Sequence, residues 1–99
     1  MSVIHGNEKN FESLINKDLV LVDFFATWCG PCKMLGPVLE SLENIDVVKI
    51  DVDECPDLAR KYAIMSVPTL MIFSNGDLKN KQSGFMPKEV LEEWILENK

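Results

Sequence analysis

The feature that most limits what this chain can become is Leu19-Val20-Leu21-Val22-Asp23-Phe24-Phe25, an almost unbroken run of branched and aromatic side chains. A strand with one face in water alternates apolar and polar residues. A continuous run needs cover on both faces, which in a small protein means helices above and below a sheet. Asp23 is the exception inside the run, where an ionised carboxylate is expensive to bury. Its side chain either escapes to solvent or is kept inside for its chemistry.

The rest of the chain supplies the cover. Asn7 is a candidate N-cap for a helix carrying Phe11, Leu14 and Ile15. After the apolar run, Leu35, Val38, Leu39 and Leu42 share one face of a helix that begins near Cys29, with a kink expected at Pro37. Val47 to Val52 alternates as a second strand, and Pro56 to Tyr62 reads as a short helix. Thr69–Phe73 and Leu78–Gln82 flank Asn75-Gly76, a tight-hairpin signal. A last helix opens at Pro87 and carries Val90, Leu91, Trp94 and Ile95 as its core face. With a short leading strand at Val3-Ile4, this order implies the α/β class. The expected architecture is a central mixed sheet of four or five strands flanked by helices on both faces. At 99 residues the chain reads as a single domain, 1–99.

The turn between the first long strand and its helix holds Trp28-Cys29-Gly30-Pro31-Cys32. Chemical sites in α/β folds gather at the carboxyl ends of strands, and this motif falls there. Cys-x-x-Cys spacing brings two sulfurs within bonding reach across one helical turn. The first cysteine, at the exposed helix start, meets unsatisfied N–H groups and the positive end of the helix dipole, which stabilise a thiolate. Cys29 is then the attacking thiol, and Cys32, one turn in and more buried, the resolving one. The spacer Gly30-Pro31 adds no charge beside it. The competing readings are two incidental core cysteines or a zinc half-site, but zinc normally takes four ligands and the other candidates are Cys55 and His5 alone; the metal expectation is none. Cys55 itself reads as a small buried residue near a helix cap. The methionines at 34, 65, 71 and 86 read as packing, with Met34 and Met65 near the motif.

A formal charge of −6 argues against nucleic acid, whose phosphates reward Lys and Arg. No run approaches the roughly 18 apolar residues that a membrane helix needs. The first residues lack the basic and apolar regions of a secretory signal. The chain is expected in the cytoplasm, where structural disulfides are rare and cysteines serve chemistry or packing.

The run Val22-Asp23-Phe24-Phe25-Ala26-Thr27-Trp28-Cys29-Gly30-Pro31-Cys32-Lys33 resembles the active-site signature of the thioredoxin family, and Val67-Pro68-Thr69, Asn75-Gly76 and Gly84 follow where that family has them. The resemblance covers essentially the whole chain. It implies the thioredoxin fold, a redox-active Cys29–Cys32 disulfide, and reduction of protein disulfides by dithiol–disulfide exchange without a bound cofactor. By the same resemblance Asp23 is a buried acid serving Cys32 as proton acceptor and donor; Lys49, on the neighbouring strand, is either its charge partner or an exposed strand residue. Pro68 would follow a cis peptide bond and leave the Val67 backbone free to pair with a client strand. Trp28, Gly30, Pro31, Val67, Pro68 and Gly84 would form an uncharged docking surface. The implied partners are a thioredoxin reductase, NADPH- or ferredoxin-linked, and clients such as ribonucleotide reductase, thiol peroxidases and methionine sulfoxide reductases, met by a monomer. Two other readings are a binding module that keeps the fold without using the cysteines, and an oxidase or isomerase, which the Gly-Pro spacer disfavours. The chain departs from the family pattern in three places. Phe25 stands where Trp is most common, the connection from Pro37 to Lys49 is short, and the fold begins at Ser2 or Val3.

Overall fold

The strand the apolar run predicts is covered on both faces. In the computed structural model, which describes residues 3–99, β2 (Val20–Phe25) lies at the centre of a five-stranded sheet. The other strands are β1 (Val3–His5), β3 (Asp46–Asp51), β4 (Thr69–Ser74) and β5 (Asp77–Ser83), in the spatial order β1-β3-β2-β4-β5. β1, β3 and β2 run parallel, whereas β4 is antiparallel to both β2 and β5. The sheet is mixed and five-stranded, as the leading-strand reading required. That strand starts at Val3; Ser2, the other expected start, lies outside the described residues.

Alternation along β2 sends its side chains to two separate cores. Val20, Val22 and Phe24 pack with Phe11, Ile15 and Leu58 beneath α1 (Phe11–Ile15) and α3 (Pro56–Lys61). Leu21 packs with Leu35, Leu39, Leu91 and Ile95 beneath α2 (Gly30–Glu40) and α4 (Lys88–Glu97). Asp23 has the parity of Leu21 and so faces the α2 side. Both faces of β2 are covered, which is why its sequence does not alternate.

The remaining elements end where local chemistry ends them. The Asn7 side chain accepts hydrogen bonds from the Lys9 and Asn10 N–H groups, forming a turn before the helix. These are the bonds of an N-cap residue, and the Asn7 carbonyl also accepts from the Phe11 N–H at 3.1 Å, so Asn7 caps the turn that leads into α1, whose regular part begins at Phe11. β4 and β5 are joined by Asn75 and Gly76 alone, with φ of 52° and 86°, the double left-handed turn that fits the twist of a hairpin. β5 is exposed along its whole length and carries Lys79 and Lys81, charges that discourage pairing of the open edge with another chain. Val90, expected in the core, is exposed on α4, and Leu91 and Ile95 bury that helix instead. Among the described residues no helix is long and apolar enough to cross a membrane.

Candidate active site

The sheet topology gathers distant segments at one end. β2 and β3 are parallel, so Phe25 and Asp51 end side by side, each followed by a loop. β4 is antiparallel, so its first residue, Thr69, lies at the same end and brings Val67 and Pro68 with it. β5 finishes opposite Thr69 at Ser83, which delivers Gly84. Four loops far apart in sequence thus meet around the start of α2.

Cys29 is the N-cap of α2, in extended conformation, with Gly30 and Pro31 opening the helix. Pro31 lacks an N–H, which the first turn of a helix leaves unbonded in any case. The Cys32 N–H donates to Cys29 Sγ at 3.1 Å, so the sulfur sits on a backbone dipole as well as at the helix N-terminus. Both influences favour a thiolate on Cys29 over the thiol. Cys29 and Cys32 are joined in a disulfide, with Cα atoms 5.2 Å apart. Cys29 Sγ is 3.6 Å from the Val67 carbonyl oxygen. Cys29 was expected to be exposed; it is 5% accessible, against 4% for Cys32. Phe25, Val52 and Val67 pack round the pair and cover it, so helix position and hydrogen bonding, more than exposure, distinguish the two sulfurs.

Asp23 is fully buried, and neither carboxylate oxygen has a hydrogen-bond partner. Desolvation pushes its pKa up from 3.8 to about 6, with the charge of Lys49 working in the opposite direction. Asp23 and Lys49 are register partners across β2 and β3. The ion pair is nevertheless not formed. Lys49 Nζ lies over the Phe25 ring, 4.6 Å from its centroid, and acts on Asp23 only through its field.

The rim is made of apolar surface and main chain. Trp28 is 69% exposed, yet its indole N–H donates to Asp53 Oδ2 at 2.9 Å. The Val67–Pro68 peptide is cis, Pro68 is buried, and Gly84, with φ of 96°, donates its N–H to the Pro68 carbonyl at 2.8 Å. Gly30 and Pro31 are exposed at the head of α2. Met71 and Met86 pack in the core as expected, but Met34 and Met65 do not: they are 63% and 92% exposed. Met65 is two residues before Val67, in a loop with no layer above it. Asp53 was missed in the sequence. Asp53 lies in the loop that follows β3, the parallel neighbour of β2, and reaches the indole only because the two loops meet at one end of the sheet. A groove of about 490 Å³ lined by Lys17, Asp18, Leu19, Asn44 and Asp46 lies at the opposite end of the sheet.

Cys55 stands apart from the pair. It is buried in the α1–α3 core, and burial, followed by the charges of Glu8, Glu54 and Asp51, pushes its thiol pKa up. Replacing Cys55 with Ala should leave the disulfide-reduction rate within about threefold and reduce stability by about 1 kcal/mol, the scale of an ordinary point change. Urea unfolding and an insulin-reduction assay measure the two effects. A tenfold loss of rate in a folded variant would give Cys55 a redox role. Among the described residues no three His, Cys, Asp or Glu side chains converge as ligands for a metal ion.

A Cys-x-x-Cys disulfide at a helix N-terminus, on the carboxyl end of a mixed sheet, defines a dithiol–disulfide exchange protein. The comparisons narrow the class. The family model described as Thioredoxin matches residues 2–97. A thioredoxin of Staphylococcus epidermidis is 48% identical over 98 residues, covering 94% of each chain, and one of Staphylococcus aureus is 47% identical with the same coverage. A solved asparagine-to-glutamine mutant of thioredoxin from Halobacterium salinarum superposes with a TM-score of 0.92 at 34% identity, over 98% of this chain and 90% of that one. The chain belongs to the thioredoxin family. It is a thioredoxin-type dithiol–disulfide reductase with a redox-active cysteine pair, and membership of the family implies a thioredoxin reductase and disulfide-bearing clients as its partners.

Proposed function

We propose that Cys29 is the nucleophile, Cys32 the resolving thiol and Asp23 the proton acceptor of this exchange. The observation that carries the assignment is the hydrogen bond from the Cys32 N–H to Cys29 Sγ at the start of α2, which stabilises negative charge on one sulfur and not the other. In the reduced protein the Cys29 thiolate attacks one sulfur of a client disulfide. The client's S–S bond breaks, one client thiolate leaves, and a mixed disulfide remains on Cys29. Asp23, on the same sheet face as α2, takes the proton of the Cys32 thiol. The Cys32 thiolate then attacks Cys29 Sγ and displaces the second client thiolate. Two electrons have passed to the client, and the protein is left with the Cys29–Cys32 disulfide. A thioredoxin reductase returns the electrons.

Client binding is assigned to the rim. The Val67 backbone lies outside the β4 ladder, which begins at Thr69, and its carbonyl already borders Cys29 Sγ; an extended client segment pairs there as an added strand. Trp28, Gly30, Pro31, Pro68 and Gly84 supply uncharged surface on either side. All of these groups come from one chain, which supports action as a monomer. Ribonucleotide reductase, thiol peroxidases and methionine sulfoxide reductases are the proposed clients, and the cytoplasm, where thiols stay reduced, the proposed compartment.

Trapping tests the roles. A Cys32→Ser variant incubated with a disulfide-bearing client should accumulate a mixed disulfide on Cys29, because nothing remains to resolve it. Peptide mass spectrometry locates the adduct. Adducts found mainly on Cys55, or none at all, would reverse the assignment.

A further inference from the structure

We propose that Phe25 is a positioning residue whose ring holds the Lys49 ammonium away from the Asp23 carboxylate, leaving that acid unpaired in the protein interior.

Register should favour the opposite arrangement. Asp23 and Lys49 are direct partners on adjacent strands and share the face toward α2. A buried carboxylate beside a flexible lysine normally draws the ammonium to it. Here both Asp23 oxygens are without a partner, and Lys49 Nζ lies 4.6 Å from the Phe25 centroid, within cation–π range. Phe25 is two residues beyond Asp23 on β2, so its ring is the diagonal neighbour of Lys49 on the same face. The ring is itself braced from the far side. His5, the partner of Lys49 on β1, meets Phe25 edge-on, with centroids 6.2 Å apart and planes at 75°.

The titratable groups on this face are few. β3 presents Lys49 and, opposite Phe25, Asp51, whose carboxylate accepts the Asp53 N–H; β1 presents His5 and α2 the cysteine pair, while β4 places the apolar Leu70 beside Asp23. Leu35 and Leu39 of α2 and Leu91 of α4 fill the rest of the layer with apolar surface. Lys49 is therefore the cation whose placement decides how readily Asp23 holds a proton. Drawn into contact, it would favour the ionised carboxylate and make a weaker base. Held on the ring, it leaves Asp23 a stronger one. This purpose rests on the proposed role of Asp23 as proton acceptor, whereas the anchoring of Lys49 does not.

The test is a carboxyl titration of Asp23 by ¹³C NMR in the oxidised protein, where the disulfide removes the thiols from the titration. Phe25→Leu should lower the Asp23 midpoint by about one pH unit, the scale set by an opposite charge moving into contact. Phe25→Trp should restore the wild-type midpoint. Adding Lys49→Met to Phe25→Leu should abolish the drop. A midpoint that Phe25→Leu leaves in place, or lowers equally with and without Lys49, overturns the proposal. Should Phe25→Leu not fold, the wild-type protein still decides it. Ring-current shielding of the Lys49 Cε protons is expected, and its absence refutes the anchor. Disulfide-reduction rates of the same variants keep the two readings apart. Midpoints that move while rates do not would remove Asp23 from the exchange and leave the anchor standing.

Discussion

Changing Cys29 to Ser should bring insulin reduction in the presence of dithiothreitol down to the rate of dithiothreitol alone. The expected loss is about a thousandfold or more, the scale on which removing a covalent nucleophile acts. Serine fits the site, since a hydroxyl is smaller than a thiol and can still accept the Cys32 N–H. It fails chemically. The helix N-terminus and one N–H donor lower the cost of a sulfur anion, whereas an alkoxide in the same place is far harder to form. Cys32 cannot take over, because it lies a turn inside α2 and has no equivalent donor on its sulfur among the described hydrogen bonds. A variant that kept even a tenth of the rate would place the nucleophile elsewhere.

The second large effect is on stability and is read through pH. Asp23 has a folded pKa of about 6 against an ordinary value of 3.8, with desolvation as the leading cause. Below the lower value the acid is neutral in both states, and whatever folding gains from burying a neutral carboxyl is fully present. As pH rises from there, the unfolded chain releases its proton first, and stability falls until the folded acid has ionised as well. The difference corresponds to about 3 kcal/mol lost between pH 3 and pH 8. Asp23→Ala has no such loss. Relative to wild type it should gain about 3 kcal/mol over that interval, on top of a pH-independent cost for the space vacated. Urea unfolding of both oxidised proteins at the two pH values measures the change directly. The same variant should reduce disulfides at least about tenfold more slowly, at the low end of what a positioned proton acceptor contributes. A stability difference that is flat with pH would mean that the carboxylate is solvated after all.

The sequence was most legible where one physical requirement dominated. The run from Leu19 to Phe25 demanded two covered faces, and β2 has them. Asn75-Gly76 demanded two left-handed residues and makes a two-residue turn. The Cys-x-x-Cys spacing demanded a helix start, and α2 begins at Gly30. Legibility failed where two groups competed for one partner. Lys49 had a carboxylate and an aromatic ring in reach, and it lies on the ring. Val90 and Leu91 are both apolar in a helix that needs only a narrow stripe, so hydropathy could not choose between them. The burial of Cys29 and the Trp28–Asp53 bond depend on loops meeting across the sheet, which local pattern does not encode.

The sheet's arrangement of ends also divides the molecule into two hemispheres with different obligations. Everything that touches the sulfurs is assembled where β2, β3 and β5 finish and β4 begins. The opposite hemisphere holds the Asn75-Gly76 turn, which donates its backbone N–H groups to the Ile15 and Lys17 carbonyls, and the exposed Lys17–Asp46 pair. None of those groups reaches the exchange chemistry. Outside the Asn75-Gly76 turn, which sets the β4–β5 hairpin, exposed positions of that hemisphere such as Lys17 can take new charges or a tether while the electron-carrying end stays as it is. A chain organised this way can acquire a new address or a new attachment without renegotiating its redox behaviour.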